Sequence, residues 1–236
     1  MQLNGISITW LGHATFLLEE PAGMRILIDP WVASNPACPA SLKKLSRLDA
    51  MLITHAHFDH IGDAVSLAKE TNAKVVGMVE TISWLGKKGV GNLLPMNKGG
   101  TQKVDDVSVT MTHALHSCGI SDGEQILYGG EAAGYVVRFN NEMAIYHAGD
   151  TAVFSEMALI GELYHPDVAL LPIGDHFTMG PLEAAKAIEL LKAPCVIPMH
   201  YGTFPLLTGT VEQLKKLTSH LHDLEIIVLE PGQQIN

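Results

Sequence analysis

Thr54-His55-Ala56-His57-Phe58-Asp59-His60 is the stretch that decides how this chain is read. It follows Ala50-Met51-Leu52-Ile53, an apolar run of strand length, and leads into Asp59 to Glu70, where apolar residues recur at helical spacing. At the end of an extended strand alternate side chains point the same way, so His55 and His57 can converge on one cation. Asp59 and His60, turning into the helix, can serve a second cation beside it. Four ligand-type side chains this close together would strand polar groups if packed in an apolar core.

Outward from this junction, short β-branched and apolar runs alternate with helical patterns. Strands are predicted at Ile6 to Gly12, Thr15 to Glu20, Arg25 to Asp29 and Ala50 to Thr54, then a helix over Asp59 to Glu70. The second half repeats the plan, with strands at Val107 to Ser117, Gly134 to Phe139, Met143 to Asp150 and Val168 to Gly174. Helices are predicted near Ser155 to Tyr164 and from Pro181 to Lys192, where Pro181 suits a first turn. This is an α/β pattern. Thr15 to Asp29 and Gly134 to Asp150 each read as two apolar runs joined by a polar turn, which suggests two similar halves packed sheet to sheet. Trp31 to Leu42 and Ser117 to Gly134 read as long irregular loops, a length that in compact domains often carries function. No linker or low-complexity tract divides the chain, so residues 1–236 are expected to form a single domain.

Three isolated residues, His116, Asp150 and His200, each follow a predicted strand and put further ligand types at one edge of the sheets, where α/β folds place their sites. His13, in a turn near the same edge, is a candidate for orienting a ligand, for touching substrate or for a structural hydrogen bond. Asp175 and His176 precede a helix N-terminus, a place suited to an anionic group, and His176 is the candidate for substrate contact or leaving-group protonation. Asp29 is expected to orient ligands or the turn at Pro30. His113 and His147 lie three residues before His116 and Asp150, an odd spacing that turns them away on a strand. Cys118 is expected to be a buried thiol.

A motif of the form HxHxDH followed by a His, an Asp and a final His resembles the hallmark of the metallo-β-lactamase superfamily. Within it, Trp10 to Glu19, Gly149-Asp150-Thr151, Gly174 to Pro181 and Met199 to Pro205 are similar to the small UlaG-like metal-dependent hydrolases of the UPF0173 type. The resemblance implies a four-layered αββα sandwich and a dinuclear site. It implies His55, His57 and His116 at the first metal, Asp59, His60 and His200 at the second, and Asp150 bridging both. It further implies a hydroxide held between the cations, with Asp59 also orienting it, and hydrolysis of a small anionic ester-type substrate such as a phosphodiester or a lactone. The ligand types suit two divalent ions, Zn²⁺ first, with Mn²⁺, Fe²⁺ or Ni²⁺ as alternatives. It also suggests assembly into a homo-oligomer.

The competing reading is an iron-dependent oxidoreductase or dioxygenase on the same fold, although the superfamily's di-iron flavoproteins typically carry Glu where this chain has His57. No GxSxG or GxxxxGK[ST] motif offers a serine nucleophile or a phosphate loop. Lys and Arg total 15 against 25 Asp and Glu, a net charge of −10, which disfavours binding to nucleic acid or anionic membranes. No apolar run approaches the roughly 20 residues that span a bilayer, and the N-terminus lacks the features of a signal peptide. Three widely spaced cysteines suggest neither a disulfide framework nor a metal knuckle. A cytoplasmic enzyme acting on a small molecule is expected.

Overall fold

Two seven-stranded sheets face each other in the computed structural model, which describes residues 3–236. The first takes β1 (Ser7–Trp10), β2 (Phe16–Glu19), β3 (Arg25–Ile28), β4 (Ala50–Leu52), β5 (Lys74–Met78) and β6 (Leu93–Met96) in chain order. The second begins with β7 (Thr101–Val104) and β8 (Val107–His113). After a separate hairpin of β9 (Gly119–Asp122) and β10 (Gln125–Tyr128), it continues with β11 (Ala133–Arg138), β12 (Ala144–His147), β13 (Val168–Pro172), β14 (Cys195–Met199) and β15 (Glu225–Ile226). A last strand, β16 (Gln234–Ile235), returns to pair with β1.

The two halves correspond as the sequence suggested. In each sheet an antiparallel hairpin, β2–β3 or β11–β12, is followed by parallel strands, β4–β6 or β13–β15. Antiparallel neighbours need only a short turn, whereas parallel ones need a crossover; α-helices supply it everywhere except between β3 and β4, where residues 29–49 cross as a loop with one 3-10 turn.

Alternation along the strands builds the layers. Ile26 and Ile28 of β3, and Val168 and Leu170 of β13, enter a common core between the sheets. Leu27 points the other way, into a cluster with Leu67 and Leu85 of α2 (Ala64–Thr71) and α3 (Val79–Lys87). Ala169 and Leu171 pack against Ile160, Ile188 and Leu214 of α4 (Met157–Tyr164), α5 (Pro181–Leu191) and α6 (Val211–Leu217). Helices therefore cover the outer face of each sheet, giving four αββα layers. Local chemistry sets the helix ends: Pro181 occupies the first turn of α5, and Thr210 and Gln213 form a reciprocal capping box on α6.

Two expectations need correction. The helix expected over Asp59 to Glu70 is broken into the single turn of α1 (Phe58–Ile61) and α2. The cause lies outside the segment: the Asp63 carboxylate accepts the backbone N–H groups of Val32 at 2.6 Å and Ala33 at 2.8 Å, tying the break to the loop after β3. The Ser117 to Gly134 stretch is not irregular, since it carries β9 and β10. Ile120 is buried and Leu127 packs beside it in the outer core, while Gly123 takes φ 64° at the turn.

Candidate metal centre

The parallel strands deliver the ligand-type residues together. β4 ends into Thr54 to His60, β12 into Asp150 and β14 into His200, at the carboxyl ends of strands of both sheets, β4 in the first and β12 and β14 on either side of β13 in the second. His116 is not on a strand: β8 stops at His113, and His116 reaches the centre from the loop that follows. Gly149 makes the approach of Asp150 feasible, because at its φ of 65° a Cβ would lie 2.5 Å from the Ala133 carbonyl oxygen.

Two groups of nitrogen and oxygen donors result. His55, His57 and His116 each offer a ring nitrogen within 4.8 Å of the others, and so do His13, Asp59, His60 and His200 with their own donors. Asp150 lies between the groups. Its Oδ2 is 3.0 Å from His200 Nε2, 3.3 Å from His60 Nε2, 3.8 Å from His116 Nε2 and 3.9 Å from His55 Nε2. All seven positions singled out by the sequence are therefore brought to one place.

The residues present fit a pair of cations. His60 Nε2, His200 Nε2 and Asp150 Oδ1 are buried and have no hydrogen-bond partner among the described residues; the short approaches to Asp150 Oδ2 lack hydrogen-bond geometry. Buried polar atoms are rarely left unpaired without a role. Burial pushes His55, His57 and His116 towards the neutral form, the one that can donate a lone pair. At His60 burial opposes charge, yet Asp150, Asp29 and Asp59 together hold its proton affinity well above the ordinary value. The same field favours a metal cation. Burial likewise opposes ionisation of Asp150 and Asp59, but neighbouring histidines prevail, holding Asp150 well below the usual carboxylate range and Asp59 at about 2.

Behind these groups sits a buried carboxylate that the sequence marked only as an orienter. Asp29 accepts Thr54 N–H and Thr54 Oγ1–H at 2.8 Å each and lies 2.7 Å from His60 Nδ1. Because the Thr54 hydroxyl donates to Asp29, it is left to accept from His55 Nδ1 at 3.0 Å. One carboxylate thus places the proton of both imidazoles on Nδ1 and leaves both Nε2 atoms as donors of a lone pair.

His13 plays a parallel part at Asp59. Its Nε2 lies 3.0 Å from Asp59 Oδ2 and its Nδ1 3.0 Å from Thr203 Oγ1. Burial, only partly offset by the Asp59 hydrogen bond, lowers its pKa to about 4, so the ring is neutral and Nε2–H donates to the carboxylate. Its φ of 57°, with 51° at Asp29 and 56° at His200, places three non-glycine residues in the left-handed region around the centre. Thr54 and Thr203 were not identified from sequence; only their adjacency to the ligand residues hinted at them.

The remaining residues divide clearly. His147 is buried with both ring nitrogens engaged, Nε2 on the Ala14 carbonyl at 2.9 Å and Nδ1 accepting the Gly149 N–H at 3.1 Å, and His113 faces Lys98 Nζ at 3.1 Å. Cys118 is buried, with its thiol on the Gly129 carbonyl. His176 is exposed, its ring 4.4 Å from that of Phe177, and its backbone N–H is held by the Asp175 carboxylate. Phe177, not His176, lines the cavity that opens onto Asp59, Asp150 and His200.

The comparisons agree with this geometry. A family model described as a beta-lactamase superfamily domain matches residues 24–201. A UPF0173 metal-dependent hydrolase of Koribacter versatilis is 56% identical over 233 residues, covering 99% of each chain. One from Solibacter usitatus is 54% identical over 230 residues, covering 98% of this chain and 99% of its own. Among solved structures, Igni18, a metallo hydrolase from the archaeon Ignicoccus hospitalis, superposes with a TM-score of 0.85 at 37% identity, covering 98% of this chain and 97% of its own. The chain belongs to the metallo-β-lactamase superfamily, among the UPF0173 metal-dependent hydrolases.

Proposed function

We propose that this protein hydrolyses a small ester-type substrate at a dinuclear centre, with His55, His57 and His116 holding one divalent cation, Asp59, His60 and His200 the other, and Asp150 shared between them. The observation that carries the reading is the set of buried, unpartnered atoms, His60 Nε2, His200 Nε2 and Asp150 Oδ1, where the two donor groups meet. Donors made only of imidazole and carboxylate suit Zn²⁺, our first choice, and also Mn²⁺, Fe²⁺ and Ni²⁺.

Such a pair of cations supplies a water that is nucleophilic near neutral pH and positive charge for the oxygens that become negative during ester cleavage. The chain's own groups do the rest. Asp29 and Thr54 fix the tautomers of His60 and His55. We assign Asp59 both to the metal and to orienting the attacking water; its hydrogen bond to His13 and its place on the cavity lining support this. Ser117 Oγ lies 3.3 Å from His57 Nε2 and is a neutral donor at the cavity wall. His176 is assigned to the rim, where an exposed imidazole beside Phe177 can meet the leaving group.

Lactones and phosphodiesters are the substrate types to test first. We take residues 1–236 to act as one domain in the cytoplasm. Three buried free thiols favour a reducing compartment, and among the described residues no helix is long and apolar enough to cross a membrane.

The test is elemental analysis after reconstitution, joined to a panel of lactones, phosphodiesters and thioesters. Two tightly bound ions per chain and chelator-sensitive turnover are expected; one ion at most, with the fold intact, refutes the second site. Single-turnover hydrolysis in ¹⁸O-labelled water should put solvent oxygen into the product at once. A covalent enzyme adduct would overturn direct attack by water.

A further inference from the structure

The chemistry of the centre says what bond is cut; the walls of its cavity say what surrounds that bond. A cavity of about 600 Å³ opens over His57, Asp59, His116, Asp150 and His200. Away from those residues it is lined by Phe58, Phe177, Phe204, Pro205 and Leu206, with Ser117 and Ser121 as the neutral polar groups. None of the described residues lining it is a lysine or an arginine. The apolar side chains are also displayed to water: Phe58 is 60% exposed, Phe177 51% and Leu206 52%. They come from three separate segments, the helical turn inside the histidine motif, the loop between β13 and α5, and the loop between β14 and α6.

We infer that the groups flanking the scissile bond of the substrate are uncharged and apolar, aromatic or aliphatic. The proposal rests on the hydrolase reading above and deepens it. A charged substituent beyond the reacting centre would leave water for a wall with no opposite charge, a desolvation cost with no compensation. An apolar substituent would remove Phe58, Phe177 and Leu206 from water, which is favourable in proportion to area. The chain's net charge of −10 acts in the same sense, since it disfavours the approach of polyanions. The negative charge expected of the substrate from sequence is thereby confined to the reacting group itself, where the cations would meet it.

The experiment separates this claim from the hydrolase reading. Hexanoate and adipate share a carboxylate head that the cations can hold, and differ at the far end, methyl in one and carboxylate in the other. Calorimetric titration of Zn²⁺-loaded protein should show hexanoate binding at least tenfold more tightly than adipate. Affinity should climb from acetate through butyrate to hexanoate by up to about fourfold per methylene seated on the wall. Phe177→Ala and Leu206→Ala, at exposed positions, should lower hexanoate affinity with acetate affinity and metal content unchanged, and Phe177→Lys should shift preference towards adipate. Equal or tighter binding of adipate, or affinity independent of chain length, overturns the proposal. Turnover of 4-nitrophenyl hexanoate is measured in parallel. If hexanoate binds as expected while neither this ester nor any substrate of the panel is cleaved, the hydrolase reading fails and the assignment of the apolar wall stands.

Discussion

Asp29→Asn is the substitution that tests the architecture of the centre most sharply, because it keeps the shape of the side chain while removing its charge and reversing the direction of protons. Asp29 is fully buried and receives three donors, Thr54 N–H, Thr54 Oγ1–H and His60 Nδ1–H, at 2.7 to 2.8 Å. Asparagine has the same shape, and it tolerates the left-handed backbone that Asp29 adopts at φ 51°. Its amide, however, must turn two N–H bonds towards groups that are themselves donors. With the amide nitrogen at the Oδ2 position, His60 must accept at Nδ1 and carry its proton on Nε2, and the Thr54 hydroxyl must turn to donate to His55 Nδ1. Both imidazoles then present N–H, not a lone pair, to the centre. With the amide reversed, a donor faces the Thr54 N–H instead. Mismatching one buried donor costs about 1–3 kcal/mol, and losing an outer partner of a metal-bound histidine typically costs about 10- to 100-fold in metal affinity.

The variant should therefore lose about 10- to 100-fold in affinity for both cations, since His60 belongs to one donor group and His55 to the other, and should unfold about 1–3 kcal/mol more easily without metal. Competition titration against a chromophoric chelator reads the first quantity and urea denaturation the second. Asp29→Ala, which orphans all three donors, should be less stable than Asp29→Asn. Unchanged affinity for both ions in a folded Asp29→Asn protein would refute the tautomer argument, and a loss at one ion only would refute the relay through Thr54.

Further outcomes follow from single features. His13→Ala should weaken the ion held by Asp59, His60 and His200 more than the other, whereas His57→Ala should do the reverse; chelator titration in two resolved phases reads both. Burial pushes the Cys195 thiol up to about 12 and the Cys38 thiol up to about 11, and raises that of Cys118. Ionisation comes only as pH rises towards these values, so at pH 8 at most about one thiol in a thousand at Cys38 is thiolate, the reactive form; Ellman's reagent should find no thiol in the native protein and three after denaturation. Gly161 is in α4 where a Cβ would strike the Leu191 carbonyl at the end of α5. Gly161→Ala should accordingly destabilise the fold by roughly 1–3 kcal/mol, measured by urea denaturation, with metal content unaltered.

What the sequence disclosed depended on the distance over which each feature is decided. Strand alternation and the spacing of His55, His57, Asp59 and His60 are set within a few residues, so both the two-sheet plan and one arm of each donor group were legible from the chain alone. His116, Asp150 and His200 were legible because strand ends in an α/β fold gather at one edge, even though His116 proved to sit in a loop beyond its strand. The helix break at Asp63 was hidden because its cause, the backbone of Val32 and Ala33, lies some thirty positions away. The same holds for His13, whose partner Thr203 is 190 positions distant, and for the cavity wall, where Phe58, Phe177 and Phe204 carry no common motif and meet only when two sheets and three loops are assembled. Metal ligation demands donor types at fixed short spacings and so leaves a local trace. Apolar recognition demands only area, which a phenylalanine can supply from any loop that reaches the site, and it leaves none. The donor set was therefore readable before the structure, the reaction class followed from the family resemblance, and the character proposed for the substrate came only with the cavity wall.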